Sequence, residues 1–85
     1  MHPEVTAVQA LEGFSLLLTF ANGERRLFCV EPYLDRGVFK ELRDPAYFRS
    51  VRAMSGFIAW PNEQDFSPDT LYLRSVPVAE SVRAG

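Results

Sequence analysis

Residues 14–30 carry the sequence FSLLLTFANGERRLFCV, which predicts a β-hairpin folded at Asn22-Gly23. In the first half of this segment every even-numbered position holds a large apolar side chain, while Ser15 and Thr19 fall on the opposite face. Because side chains alternate across a strand, this pattern places one face of the strand in a core. Asn-Gly between two such runs is the strongest short-range hairpin signal, since both residues tolerate the positive φ angles of a tight turn.

The hydrophobic pattern also predicts the register of this hairpin. A two-residue loop at Asn22-Gly23 would pair Phe20 with Arg25, which places an arginine on the apolar face. A three-residue loop with a bulge at the glycine would instead pair Leu16 with Phe28. A slip of one residue moves a whole set of side chains to the wrong face, so we favour the bulged loop. It collects on one face the apolar residues Phe14, Leu16, Leu18, Phe28 and Val30.

One further strand precedes the hairpin, and short helices follow it. Residues 5–11 alternate loosely, so residues 5–30 predict a three-stranded meander. Short helical turns are expected over residues 31–37 and 38–42. Asp44-Pro45 and Ser67-Pro68 each combine a capping side chain with a proline at the first helical position, which predicts helices ending near residues 51 and 74. Residues 52–60 predict a second hairpin folded at Ser55-Gly56.

This order of elements predicts an α+β fold in which an antiparallel sheet, made of the N-terminal meander plus the later hairpin, packs with short helices. The length of 85 residues and a composition of 47% hydrophobic and 24% charged residues are those of one globular domain. We expect that domain to span residues 1–74. The small residues near the end predict a flexible C-terminal tail over residues 75–85.

The net charge and the cysteine content narrow the class of binding partner and the cellular compartment that we expect. The net charge of −2 and the pI near 5.3 disfavour a free-standing nucleic-acid binder, which usually has a basic face. A single cysteine, Cys29, excludes an internal disulfide and suggests a reducing compartment. The chain shows neither a secretory leader nor an apolar run long enough to cross a membrane, so we expect a cytoplasmic location.

The sequence offers no complete catalytic set, and we expect a non-enzyme without cofactors. His2 is the one histidine and has no nucleophile beside it. Asp65 and Asp69 could hold a metal ion or share acid–base work, which would make a small metal-dependent enzyme. A structural interpretation is stronger, with Asp69 at the positive end of a helix dipole and Asp65 accepting backbone N–H groups of its loop.

Two groups of residues are candidates for binding. One is a basic patch that could contact nucleic acid, formed by Arg25, Arg26, Arg49 and Arg52, although such charges usually only keep a surface hydrated. The other lies around the single tryptophan, which could cover the core or anchor a protein partner. This possible partner interface consists of Trp60, Asn62, Asp65 and Tyr72.

Taken together, the short motifs resemble a bacterial family, the domain of unknown function numbered 2442. The resemblance covers roughly residues 4 to 73 and departs at Glu63-Gln64, where a glycine is expected beside Asn62. It rests on the order and spacing of Val5-Thr6-Ala7-Val8, Leu18-Thr19-Phe20 with Asn22-Gly23, Phe28 to Pro32 with Tyr33-Leu34, Gly37-Val38-Phe39, Leu42-Arg43-Asp44-Pro45, Trp60-Pro61-Asn62 with Asp65, and Ser67-Pro68-Asp69-Thr70 with Leu71-Tyr72.

The resemblance implies a small α+β domain, usually free-standing, that is encoded beside another small protein in an arrangement similar to toxin–antitoxin pairs. It implies no catalytic residues. The leading hypothesis is therefore a non-enzymatic binding module, the antitoxin-like member of a two-protein bacterial system, whose partner is a small protein encoded nearby. A nucleic-acid-contacting accessory domain remains the alternative, and a homo-oligomer is also compatible with the sequence.

Overall fold

The computed structural model describes residues 2–78, and it confirms an α+β fold. In this described part of the chain, two short 3-10 helices, Glu31–Tyr33 and Gly37–Arg43, and two α-helices accompany seven strands. The remaining elements are β1 (Val5–Leu11), β2 (Ser15–Phe20), β3 (Arg25–Cys29), α1 (Pro45–Phe48), β4 (Arg52–Met54), β5 (Phe57–Ala59), β6 (Asp65–Phe66), α2 (Pro68–Arg74) and β7 (Val76–Pro77).

The strands form two antiparallel sheets. The larger sheet has the order β1-β2-β3-β7 and the smaller has the order β4-β5-β6. The backbone N–H of Val5 donates to the carbonyl oxygen of Gly56 at 2.9 Å, which links the edge of the larger sheet to the turn of the second hairpin. That turn is Ser55-Gly56 as predicted, and both of its residues have positive φ angles, 47° and 92°.

The predicted hairpin register is confirmed, because Leu16 pairs with Phe28. The same register pairs Leu18 with Arg26 and so brings an arginine to the buried face after all. The side chain of Arg26 is only 13% exposed. Its burial is tolerated because Glu24 and Ser75 accept its hydrogen bonds. An arginine can occupy the edge of a core when every donor that loses water finds an acceptor.

One hydrophobic core lies between the sheets and the short helices. Aromatic rings fill much of it, and Phe66 packs against Phe28, Tyr33, Phe39 and Trp60 with ring centroids 5.0–6.1 Å apart. Rings in such edge-to-face and offset contacts bury large areas and stabilise a small domain efficiently. The buried apolar residues are Val5, Leu16, Leu18, Phe20, Phe28, Val30, Leu34, Leu42, Phe48, Ile58, Trp60, Phe66 and Leu71.

Three differences from the predictions concern chain segments with weak local signals. Helix α1 ends at Phe48 rather than near residue 51, and the Ser50 hydroxyl donates to the Tyr47 carbonyl, which competes with helix continuation. Strand β6 was not predicted, because two residues show no periodicity. The predicted tail begins too early, since Ser75 is buried and β7 pairs with β3. The rest of that tail, residues 79–85, lies outside the described residues.

Candidate functional site

Trp60 belongs to the core. It is 3% exposed, and its indole N–H donates to the carbonyl oxygen of Phe48 at 2.9 Å. Its backbone N–H donates to the carbonyl oxygen of Gln64 at 2.9 Å, which closes the loop that follows β5. A side chain this deeply buried offers almost no surface to a partner, so Trp60 acts as the predicted cover of the sheet.

A buried amide that sequence reasoning missed holds this loop. Gln64 is 1% exposed, and its Oε1 accepts a hydrogen bond from the Tyr47 hydroxyl at 2.7 Å. Its Nε2 donates to the Val38 carbonyl oxygen at 2.9 Å and to Glu41 Oε1 at 2.7 Å. The side chain of Asn62 donates to the other oxygen of Glu41 at 2.9 Å. The exposed Asn62 is therefore tied to the fold rather than free to bind.

The two aspartates do not form a site together. Asp65 lies in β6 and is exposed, and its carboxylate accepts no hydrogen bond within residues 2–78. The prediction that it accepts backbone N–H groups of the loop is therefore wrong. Gln64, its neighbour, does that instead. Asp69 lies in the first turn of α2 as predicted, where Ser67 caps the helix by accepting from the Thr70 N–H at 3.2 Å. Across residues 2–78, no three His, Cys, Asp or Glu side chains are grouped to hold a metal ion.

Tyr72 belongs to a different cluster from Trp60. Its hydroxyl donates to Glu24 Oε1 at 2.5 Å, and the Arg26 guanidinium lies 4.5 Å from the centre of its ring. The hydrogen bond from Tyr72, followed by that from Asn22, lowers the pKa of Glu24 below its ordinary value. The same bond raises the pKa of Tyr72. This cluster attaches α2 and the start of β7 to the hairpin, which is a structural role.

The structure does not bring the four predicted arginines onto one surface. Arg25 and Arg26 are successive strand residues and point to opposite faces of the larger sheet. Arg26 is engaged in the Tyr72 cluster, whereas Arg25 is exposed. Arg49 and Arg52 do border one groove together. The structure therefore does not support a nucleic-acid-binding surface made of all four arginine side chains.

An apolar hollow lies where the β1–β2 turn meets α1, and we call it the Phe14 hollow. Its volume is about 320 Å³. Phe14 has φ of 58°, and its ring meets that of Phe48 edge-on with centroids 5.4 Å apart. Arg49 stands at the rim and forms no ion pair with any carboxylate among residues 2–78. The hollow is lined by Ala10, Leu11, Glu12, Gly13, Phe14, Pro45, Phe48 and Arg49.

A wider groove of about 680 Å³ lies on the other side of Arg49 and runs onto the small sheet. There Ala59 pairs with Arg52 on one side and with Asp65 on the other. The neighbouring row of paired residues, Ala53, Ile58 and Phe66, points into the core. Because side chains alternate along each strand, the row Arg52, Ala59 and Asp65 points outward. We call this surface the small-sheet outer face; it consists of Arg52, Met54, Phe57, Ala59 and Asp65.

No α-helix within residues 2–78 has the length and apolar character to cross a bilayer.

The family described as protein of unknown function DUF2442 matches the chain over residues 5–77. The match spans most of the 85 residues, and the chain belongs to this family. No curated protein matches the chain, and no solved structure does.

Proposed function

We propose that this member of the DUF2442 family is a non-enzymatic, cytoplasmic binding module, the antitoxin-like member of a two-protein bacterial system. Its partner is a small protein encoded nearby, and the docking site is the Phe14 hollow. The observation that carries this proposal is an open apolar hollow whose rim holds the Arg49 guanidinium, which forms no ion pair within residues 2–78. Such a site suits a protein segment that carries an apolar anchor beside a carboxylate.

The chemistry of the lining favours recognition over catalysis. Glu12 and Arg49 are the titratable side chains among the residues that line the hollow. Acyl or phosphoryl transfer needs a nucleophile and a base within hydrogen-bond reach, and this lining supplies no such pair. Arginine is instead enriched in partner-binding hot spots, where truncating such a side chain in a desolvated pocket costs about 2 kcal/mol or more.

The backbone at Phe14 supports a preformed docking site. A bulky residue with φ of 58° is strained, which costs on the order of 1–3 kcal/mol. The fold tolerates this conformation because the Phe14 carbonyl oxygen accepts the Val30 N–H at 2.8 Å and the ring packs on Phe48. A wall fixed in this way before binding reduces the entropy that association must overcome.

Co-purification with the product of the adjacent gene tests the proposal, followed by isothermal titration. We expect a complex at micromolar concentration that Arg49→Glu weakens at least about tenfold, since one charge-assisted contact becomes a repulsion. Arg74→Glu is the matched control, because Arg74 is an exposed cation at the end of α2. Absence of a complex, or an equal loss with both variants, would rule the proposal out.

A further inference from the structure

The small-sheet outer face carries one positive and one negative charge at equal distances from a small central residue. Ala59 lies on the middle strand, with Arg52 beside it on β4 and Asp65 beside it on β6. Neighbouring strands are about 4.8 Å apart, so the two charged residues stand about 10 Å apart. Both are exposed, and they form no ion pair with each other or with any other group in residues 2–78.

This arrangement is complementary to itself under a two-fold rotation. If the axis runs parallel to β5 and passes above Ala59, rotation by half a turn exchanges the two outer strands. Arg52 of one copy then faces Asp65 of the other, and the reverse pair forms at the same time. An isologous interface requires such reciprocity, in which residue i meets residue j and j meets i.

The rest of the face fits the same rotation. Phe57 lies on the middle strand and would meet its own copy at the axis, with Met54 beside it. Met54 is 48% exposed, and association would cover it. The small side chain of Ala59 lets the two sheets approach to the roughly 10 Å spacing of packed sheets.

We infer that a second copy of this chain binds the small-sheet outer face and that two reciprocal Arg52–Asp65 ion pairs set the orientation. The strands are short, so the dimer falls in the class of weak interfaces, below about 1,200 Å² of total buried area. It forms at micromolar or higher protein concentration and weakens with salt, because the charges are near the surface. The Phe14 hollow lies outside this face, so the inference does not depend on the proposed function.

Sedimentation velocity on the full chain tests the dimer. The wild-type mass of 9.6 kDa should approach twice that value as the protein is concentrated at about 20 mM salt. Arg52→Asp and Asp65→Arg should each give a monomer, because each places like charges opposite one another. The double variant R52D/D65R should recover the dimer. Arg25→Asp, an exposed arginine on the other sheet, is the control and should leave the dimer intact.

A mixture of the two single variants gives the sharpest result. Arg52→Asp leaves two acidic positions on its face, and Asp65→Arg leaves two basic positions, so the mixture should form a heterodimer although neither variant self-associates. Wild type that stays monomeric at millimolar concentration overturns the inference. So do single variants that dimerise normally, or a mixture and a double variant that both stay monomeric. Circular dichroism confirms that each variant is folded.

Discussion

The Tyr47 hydroxyl donates a hydrogen bond of 2.7 Å to Gln64 Oε1 and accepts one of 2.8 Å from the backbone N–H of Asn62. One phenolic oxygen thus joins α1 to both ends of the loop that precedes β6. Because Gln64 is 1% exposed, its amide oxygen can find no water in place of this donor. The loop therefore depends on a contact between residues 17 positions apart in the chain.

Tyr47→Phe should lower the free energy of unfolding by about 1–3 kcal/mol, because it leaves a buried acceptor and a backbone donor without their partner. Tyr33→Phe is the matched control, since the Tyr33 hydroxyl makes no hydrogen bond among the described residues and the ring remains. Urea denaturation followed by Trp60 fluorescence measures both. Equal midpoints for the two variants would show that the buried amide is satisfied in another way.

Glu63→Gly should raise the free energy of unfolding by about 0.5 kcal/mol. Glu63 has φ of 75°, a region where a side chain costs about 1–2 kcal/mol and glycine costs nothing. Part of that gain is lost because glycine makes the unfolded chain more flexible. Glu63→Ala removes the same carboxylate but keeps the strained Cβ. If the alanine variant gains as much as the glycine variant, the effect comes from charge and not from the backbone.

Arg26→Met should destabilise the domain by about 2 kcal/mol, because the Ser75 carbonyl oxygen and hydroxyl lose the guanidinium that bonds them. The loss should loosen β7 in particular. Hydrogen exchange of the Val78 N–H, which donates to the Arg25 carbonyl oxygen at 3.0 Å, reports this directly. Arg25→Met, the same change on the opposite face, should leave that exchange rate near the wild-type value.

The decrease in the free energy of unfolding at acid pH should depend on Glu24. Its pKa lies below the ordinary 4.5, first because Tyr72 donates a hydrogen bond to it and then because Asn22 does. The unfolded chain therefore takes up the proton first as pH falls. The stabilisation is fully present above about pH 4.5 and is lost as pH drops through the lower pKa of the folded state.

Thermal unfolding of Glu24→Gln and wild type from pH 7 to pH 3 tests this prediction. The two curves should differ near neutral pH and converge in acid, where both side chains are uncharged. Glu12→Gln, a change at an exposed turn glutamate, provides the control. A difference between Glu24→Gln and wild type that stays constant with pH would mean that the glutamate contributes through packing alone.

The sequence predicted the parts of the fold that are encoded locally. The Leu16–Phe28 register follows from alternation over a few residues, and the cap at Ser67 follows from residue types at fixed spacing. The position of Gln64 could not be predicted, because an amide next to a loop is normally exposed. Its burial requires Tyr47, Val38 and Glu41 to converge on it from separate segments.

The candidate sites likewise divide into residues that the sequence pointed to and surfaces that only the tertiary structure creates. Residue type alone pointed to Trp60 and the arginines, yet burial removed Trp60 from the surface, and strand alternation separated Arg25 from Arg26. The Phe14 hollow and the row that joins Arg52 to Asp65 arise from pairing between distant segments. No short-range pattern carries such information, since it depends on which strands become neighbours.

The sequence by itself determined the α+β class, the two hairpins and the starts of both α-helices, because alternation, turn residues and caps act over a few positions. Tertiary structure decided which polar groups are buried, which charges pair and which surfaces remain open. Those outcomes depend on desolvation. A side chain such as Gln64 or Arg26 can leave water only where partners from elsewhere in the chain have already been brought within hydrogen-bond distance.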